Sequence, residues 1–406
     1  MWLEALWMRV PVTIIAPTEE HLLGIAETTS TALNFSRERA IARSPFWPLE
    51  DIRVAIEDGQ VVATAGDFHF DQWFGGRPIA CSGIWGVATL PEHRGGGLAT
   101  ACIRALLDRA REREWPLTAL FPAVLAPYRK MGYEIAGVFI RHRVPLDALP
   151  AGDDTLPGVE LADLSRDIEG MRAAYRAWIS TSTGPVEPVT EELWIGRLLP
   201  ASDDDTGRTV VVREDGRVTG VASFTRTTEP GLLDVAFGID CRALFAVTHA
   251  AQRALWAYFR GYRGLGTWLQ WVGPPNDPIA LGSLDAFIER PYRYDWMLRL
   301  LDVPGAFAAR GYPAIEAEAT FAVEDPMYPE NAGAWRLAIS GDQASIERVE
   351  SHDRRPLSIG VLSSMFSGYL RPHDAVRVGH LDADDPAVDA LAAILDGPDP
   401  WVPYFF

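Results

Sequence analysis

Residues 85–99 read Trp-Gly-Val-Ala-Thr-Leu-Pro-Glu-His-Arg-Gly-Gly-Gly-Leu-Ala, an apolar strand that runs through a glycine turn into an amphipathic helix. Ile84, Trp85 and Val87 supply the strand, Pro91 follows it, and Gly95, Gly96 and Gly97 keep side chains off the inner surface of the turn, where a diphosphate can approach closely. The helix expected from about Leu98 to Glu114 sets Ala101, Ile103, Leu106, Leu107 and Ala110 near helical spacing and turns Arg104, Asp108, Arg111 and Arg113 outward. Its unpaired N-terminal amides and the positive end of its dipole face the turn, an arrangement that attracts anions. Three adjacent glycines are equally an ordinary strand-to-helix turn, so the spacing has to decide. Neither G-x-G-x-x-G with a following acid nor G-x-x-x-x-G-K-[ST] is present.

Instead Arg94, Gly97 and Ala99 stand as R-x-x-G-x-A, which resembles the acetyl-CoA pyrophosphate loop of the GNAT N-acetyltransferases. After a further strand, Leu117 to Phe121, Tyr128-Arg129-Lys130-Met131-Gly132-Tyr133 is similar to that superfamily's Y-x-x-x-G-[FY] segment. The resemblance implies that Tyr128 points its hydroxyl at the sulfur of coenzyme A and returns a proton to the departing thiolate. Tyr133 reads as a helix-end aromatic that packs.

At 406 residues the chain exceeds one ordinary core, so two or three domains are expected. Its 48% hydrophobic and 23% charged residues describe a soluble globular protein. No apolar run approaches the roughly twenty residues of a membrane helix, so no membrane partner is expected. The apolar stretch from Met1 to Val10 contains Glu4 and lacks a basic start or a small-residue cleavage pattern, which argues against a signal peptide. Cys81, Cys102 and Cys241 are widely spaced and odd in number; they fit a reducing cytoplasm and neither a disulfide framework nor a zinc site. The eight histidines form no H-E-x-x-H pattern, and no metal is implied. A net charge of −18 argues against a nucleic-acid partner and would attract a cationic one, though acidity also simply keeps a large protein soluble.

Three segments are expected. In residues 1–142, Val54-Ala55-Ile56 and Val61-Val62-Ala63 flank Asp58-Gly59, a hairpin signal. The figure recurs as Val210-Val211-Val212, Asp215-Gly216 and Val218 to Phe224, so residues 143–298 read as a second copy of the same α/β architecture. In that copy an apolar strand, Leu232 to Ile239, leads to a helix near Leu244 to Gly261. Asp240, Cys241 and Arg242 are expected at the junction where the first copy has glycines. The second copy should therefore bind no cofactor and serve to complete the substrate cleft. Residues 299–406 read as α+β, with strands at Glu316–Glu324, Trp335–Ile339 and Gln343–Val349 and helices at 358–370 and 386–395. This segment resembles a sterol carrier protein-like domain.

Two GNAT-like copies followed by a sterol carrier-like domain is the plan of the Eis, or enhanced intracellular survival, acetyltransferases. The resemblance covers the whole chain and is carried by Asp51 to Gly66, Val87 to Ala99, Tyr128 to Tyr133 and the terminal Phe406. It implies acetyl-CoA as cosubstrate, lying along Val87, Ala88 and Thr89 with its pyrophosphate on Arg94, Gly95, Gly96, Gly97, Leu98 and Ala99. Backbone amides near Val87 to Thr89 would stabilise the oxyanion. Tyr128 would be the general acid and the main-chain carboxylate of Phe406 the base. Solvated tails seldom carry so many aromatics, so Trp401, Tyr404, Phe405 and Phe406 are expected to be buried rather than frayed. The resemblance further implies a cytoplasmic homohexamer that acetylates a cationic amine, aminoglycoside-like, in an acidic cleft lined by Glu27, Phe35 and Trp85. Protein lysines or polyamines are alternative acceptors. A non-enzymatic ligand-binding protein is a rival reading, against which Arg94, Gly97, Ala99 and Tyr128 argue. The seven aspartates from Asp374 onward, against Arg377 alone, are candidates to acidify the cleft.

Overall fold

In a computed structural model, which describes residues 12–33, 36–43, 47–153, 155–200, 206–229, 235–277, 288–350 and 355–406, the first part of the chain builds a sheet flanked by helices. Its elements are β1 (Thr13–Ile15), α1 (Leu22–Leu33), α2 (Arg37–Arg43), β2 (Ile52–Glu57), β3 (Gln60–Phe74), β4 (Arg77–Thr89), α3 (Leu98–Glu112), β5 (Leu117–Leu120), α4 (Ala126–Lys130) and β6 (Glu134–Pro145). The second part contributes β7 (Val159–Leu161), α5 (Leu164–Ile179), β8 (Val186–Pro188), α6 (Glu191–Leu198), β9 (Arg208–Glu214), β10 (Arg217–Thr228), β11 (Phe237–Ala246), α7 (His249–Arg260), β12 (Gly266–Val272) and β13 (Glu289–Leu300). Asp58 and Gly59 turn the β2–β3 hairpin at φ 50° and 77°, and Asp215 and Gly216 turn β9–β10 at the same two values. Paired positive φ angles are the type I′ signature that an Asp-Gly dipeptide permits, so the sequence repeat is a structural one.

The two copies share one thirteen-stranded sheet in the order β1-β2-β3-β4-β5-β13-β6-β12-β11-β10-β9-β7, with β8 added to β3. Strand β13, which the sequence reading groups with the second copy, pairs antiparallel with both β5 and β6 of the first. Its Trp296, Met297, Leu298 and Leu300 are all fully buried, and only a central place covered on both faces accommodates such a run. The expected junction at Asp240, Cys241 and Arg242 is corrected: these residues lie inside β11, and the chain enters α7 at Val247 and Thr248. The repeat keeps register through the hairpin, but the second copy's strand extends to Ala246; residues 232–234 of the expected strand lie outside the described residues.

The third part folds as α8 (Val303–Ala309), β14 (Ile315–Glu324), β15 (Gly333–Gly341), β16 (Gln343–Val349), β17 (Leu357–Ser358), α9 (Ile359–Phe366), α10 (Pro372–Arg377) and α11 (Ala387–Ile394). Its separate sheet runs β16-β15-β14-β17. The period-2 pattern of β14 is real: Ala319, Phe321 and Val323 are buried and Glu316, Glu318 and Glu324 exposed. No described helix is long and apolar enough to cross a membrane, and the N-terminal stretch Met1 to Val10 lies outside the described residues.

Helix α3 buries Ile103, Leu106, Leu107 and Ala110 as its spacing predicts, with Cys102 buried in place of the expected Ala101, which is half-buried. Ile84 of β4 packs into the same cluster, and Asp67 of β3 pairs directly with Ile84 and so shares that face. Asp67 is 2% exposed and accepts a hydrogen bond from Ser82 Oγ at 2.8 Å. Burial raises its pKa from 3.8 to about 7. Between these two values the folded chain keeps a proton that the unfolded chain has lost, so stability falls as pH rises from about 4 to about 7 and stays lower above. Asp67→Asn, which keeps the acceptor for Ser82, is expected to gain several degrees in Tm over the parent at pH 8.5 and clearly less at pH 5, read by thermal denaturation at both pH values.

Candidate active site

Parallel pairing of β4 with β5 ends at Ile84 opposite Leu120. Beyond that point Trp85 to Thr89 continue to pair with β3 on their other edge, while no described strand covers the edge facing β5. A bulge produces the divergence. Ala65 of β3 is opposed by both Gly86 and Val87, and Gly86 stands at φ 59°, a conformation that costs a glycine little. Val87, Ala88 and Thr89 thus turn backbone polar groups toward a gap in the sheet. An extended amide chain can hydrogen-bond there as a strand would.

The gap leads into the glycine turn. Gly97 caps α3 at φ 76° with no side chain serving the helix amides, and Gly95 stands at φ 85°. A Cβ on either glycine would meet no atom within 4 Å. Arg94 to Gly97 are exposed, and Leu98 and Ala99 half-buried. In the second copy the corresponding entrance is occupied: Thr248 caps α7 by accepting from the Ala251 amide, and its hydroxyl donates to the Glu214 carboxylate. There β11 and β12 part after Asp240 opposite Gln270. Phe245, Trp256 and Trp271, all buried, line a cavity of only about 60 Å³ there.

Tyr128 sits on α4, directly after β5, and packs on the same hydrophobic cluster as Val87 and Leu98. Burial raises its pKa above the usual tyrosine value, so the hydroxyl holds its proton at neutral pH. Tyr133 is a core residue, 1% exposed, with its hydroxyl 2.9 Å from Thr118 Oγ1. The glycine between them has a specific cause. Arg299 of β13 reaches in to donate to the Met131 carbonyl at 2.7 Å, and a Cβ on Gly132 would lie 1.7 Å from its guanidinium. Arg299 and Asp325, both fully buried, form an ion pair in which Nη2 of Arg299 donates to both carboxylate oxygens at 2.8 Å, so the third domain braces the helix that carries Tyr128. Arg299 and Asp325 gave no signal in the sequence because their partners are remote.

The tail threads between the two copies. Val138 of β6 donates to Pro400 O at 3.1 Å and accepts from the Val402 amide at 3.0 Å, and the Trp401 amide donates to Thr183 O at 3.0 Å. Trp401 is 1% exposed and meets the Trp178 ring edge-on at 5.2 Å. Arg197 of α6 donates to Phe405 O at 3.1 Å. The Phe406 ring lies 4.7 Å from Phe70 and 5.1 Å from Phe121, and a Cβ on Gly83 would come within 3.1 Å of it. The chain end therefore rests on β4 just before the strands diverge. Burial of the four aromatics is uneven: Trp401 is enclosed, Tyr404 and Phe406 are half-buried, and Phe405 is 41% exposed. Phe405 stands out because it walls a cavity of about 390 Å³, whose other lining includes Phe139, Arg141, Arg197, Asp240 and Arg242.

Of the expected cleft residues, Trp85 lies flat over Gly66, stacked on Phe68 at 4.9 Å and edge-on to Trp47 at 6.2 Å. Glu27 is exposed on α1 and its carboxylate is engaged by Arg37 at 2.6 Å, while Phe35 lies outside the described residues. Several late aspartates are engaged within the third domain, and Asp399 also accepts from Asn276 Nδ2 of the second copy at 3.0 Å. Asp374 pairs with Arg377, Asp396 and Asp399 with Arg371, and Asp385 caps the start of α11.

A sheet parted by a bulge, a glycine turn under a helix N-terminus and a tyrosine beyond the next strand define a GNAT-type acetyltransferase. Models of the acetyltransferase (GNAT) domain match residues 13–136 and 190–300, and one of the sterol carrier protein domain matches 303–403. An uncharacterized N-acetyltransferase of Streptomyces coelicolor is 28% identical over 87% of this chain and 89% of its own. N-acetyltransferase Eis of Mycobacterium tuberculosis is 24% identical over 92% and 94%. In fold, a GCN5-related N-acetyltransferase from Anabaena variabilis superposes with a TM-score of 0.89 at 24% identity, covering 98% of this chain and 100% of its own. Eis1 from Mycobacterium abscessus gives 0.79 at 21% identity over 98% and 100%. The chain is an N-acetyltransferase with two GNAT domains and a sterol carrier protein domain, and it is similar over most of its length to the Eis N-acetyltransferases.

Arg197→Leu removes the donor to Phe405 O. Carboxypeptidase is expected to release Phe406 and Phe405 several-fold faster from this variant than from the parent, read by intact mass, and equal rates would leave tail fixation to Val138 and Thr183.

Proposed function

We propose that this enzyme transfers acetyl directly from acetyl-CoA to an acceptor amine in a ternary complex formed across the β4–β5 gap. The observation that carries the reading is the convergence of three features: the uncovered edge of Val87 to Thr89, the open turn from Arg94 to Gly97, and a chain terminus lying against Gly83. The turn and the α3 N-terminus would take the pyrophosphate, and the strand edge the pantetheine amides. The second copy, with Thr248 and Glu214 where phosphate would enter and Trp271 in its gap, would bind no cofactor.

Attack on a thioester requires a neutral amine, whereas amines are largely protonated at pH 7, so a proton acceptor is needed. The Phe406 carboxylate fills that role. An α-carboxylate has an ordinary pKa of about 3.5 and is a weak base, so it acts in concert with attack, through water, and also holds the ammonium as a counter-charge. As the amine nitrogen bonds to the carbonyl carbon, backbone amides near Val87 to Thr89 stabilise the oxyanion. When the C–S bond breaks, Tyr128 donates its proton to the thiolate; the proton taken from the amine leaves on the terminal carboxylate. Buried thiols support transfer without an acyl-cysteine, since burial raises the pKa of Cys81, Cys102 and Cys241 alike. The resemblance alone would make the acceptor an aminoglycoside-like polycation and the assembly a homohexamer, but the three arginines beside the tail disfavour a polycation.

Two measurements test the mechanism. Tyr128→Phe should lower kcat by about 10²-fold or more while acetyl-CoA affinity changes little, a loss in the range of general acid–base catalysis. One glycine added after Phe406 moves the carboxylate by about 3.5 Å and should lower kcat similarly without lowering Tm; full activity of the extended chain would end the carboxylate's role.

A further inference from the structure

The cavity beside the tail starts at Phe405, one residue short of the terminal carboxylate. Its wall draws one arginine from each of three elements: Arg141 from β6, Arg197 from α6 and Arg242 from β11. The one carboxylate among its described lining residues, Asp240, is held by Arg141 at 2.9 Å and by Gln270 Nε2 at 3.4 Å. This excess of positive charge occurs in a chain with 55 acidic and 37 basic residues, where the composition favours the opposite sign. Around the arginines the surface is aromatic. Phe139 and Phe405 lie 4.5 Å apart, with Tyr294 at 5.3 Å from Phe405.

Resting on the acetyl-transfer reading above, we infer that the acceptor is an amine that also carries an anionic group, carboxylate or phosphate, and that Arg141 and Arg242 recognise the anion. The amine end then meets the negative terminus of Phe406, and the anionic end meets the guanidinium groups, so the acceptor lies along the local field. Guanidinium is suited to this because its donors match the oxygens of a carboxylate or phosphate in pairs. A polycation would place several ammonium groups against the same arginines. Like charges at a few ångströms in a half-enclosed site oppose binding by kcal/mol rather than tenths, because solvent screens them less there.

The test compares matched acceptors by coenzyme A release: 4-(aminomethyl)benzoate against benzylamine for the carboxylate, glucosamine 6-phosphate against glucosamine for the phosphate, and kanamycin as the polycation. At least one anionic member is expected to exceed its neutral partner tenfold or more in kcat/KM, and which pair shows the larger ratio identifies the anion. In Arg242→Glu that ratio should fall at least tenfold while turnover of kanamycin rises. Turnover of the neutral amines or of kanamycin at rates equal to or above the anionic ones would overturn the inference and leave acetyl transfer standing. Acetyl-CoA binding without turnover of any amine in the panel would instead overturn the acetyl-transfer reading, and this inference with it.

Discussion

Strand β6 is hydrogen-bonded to every part of the chain. On one edge it carries β13; on the other it carries β12 and then, where β12 ends, the tail at Val138. The third domain adds Ser364, whose hydroxyl donates to Ile135 O at 2.6 Å. Such crowding leaves no room for side chains at the crossing. A Cβ on Gly137 would lie 2.6 Å from Pro400 O and from the Trp296 indole nitrogen. Because backbone groups buried this deeply must be paired, the three units hold one relative position, and the tail reaches β4 by the geometry of β6.

The two copies began from one architecture and differ in how they close it. Both turn on Asp-Gly at the same φ angles, both carry an irregularity in the strand that follows, and both part their parallel strands after a few residues. In the first, glycines and short side chains leave the parting open. In the second, indole and phenyl rings line the parting, and a threonine held by a glutamate caps the helix. The second copy contributes to the candidate site through Arg197, Asp240 and Arg242, side chains that line the tail's surroundings.

Local chemistry was legible in the sequence, and remote pairing was not. Asp-Gly between apolar runs, glycines at a helix start and alternation in Glu316 to Glu324 each depend on neighbours within a few residues, and each was found as read. The place of β13 between β5 and β6 could not be read, since a run of buried residues fits any central position in a sheet. Glu27 had the right chemistry for a cationic cleft, but Arg37 ten residues on engages it. The charge of the cavity was hidden for the same reason: Arg141, Arg197 and Arg242 come from three separate elements and assemble only in the fold.

The insertion of β13 also sets an order of assembly during synthesis. A chain emerging from the ribosome exposes the facing edges of β5 and β6 until residues 289–300 have been made, and only then can the first sheet close. Pairing over so long a separation is slow, and the uncovered edges are sticky while they wait. The last strand-like contact, at Val138, must wait for Pro400 and Val402, about a hundred residues later again. A product that stops before Pro400 would lack the backbone pairing that the first domain receives, so the site closes only after all of its sheet has been made.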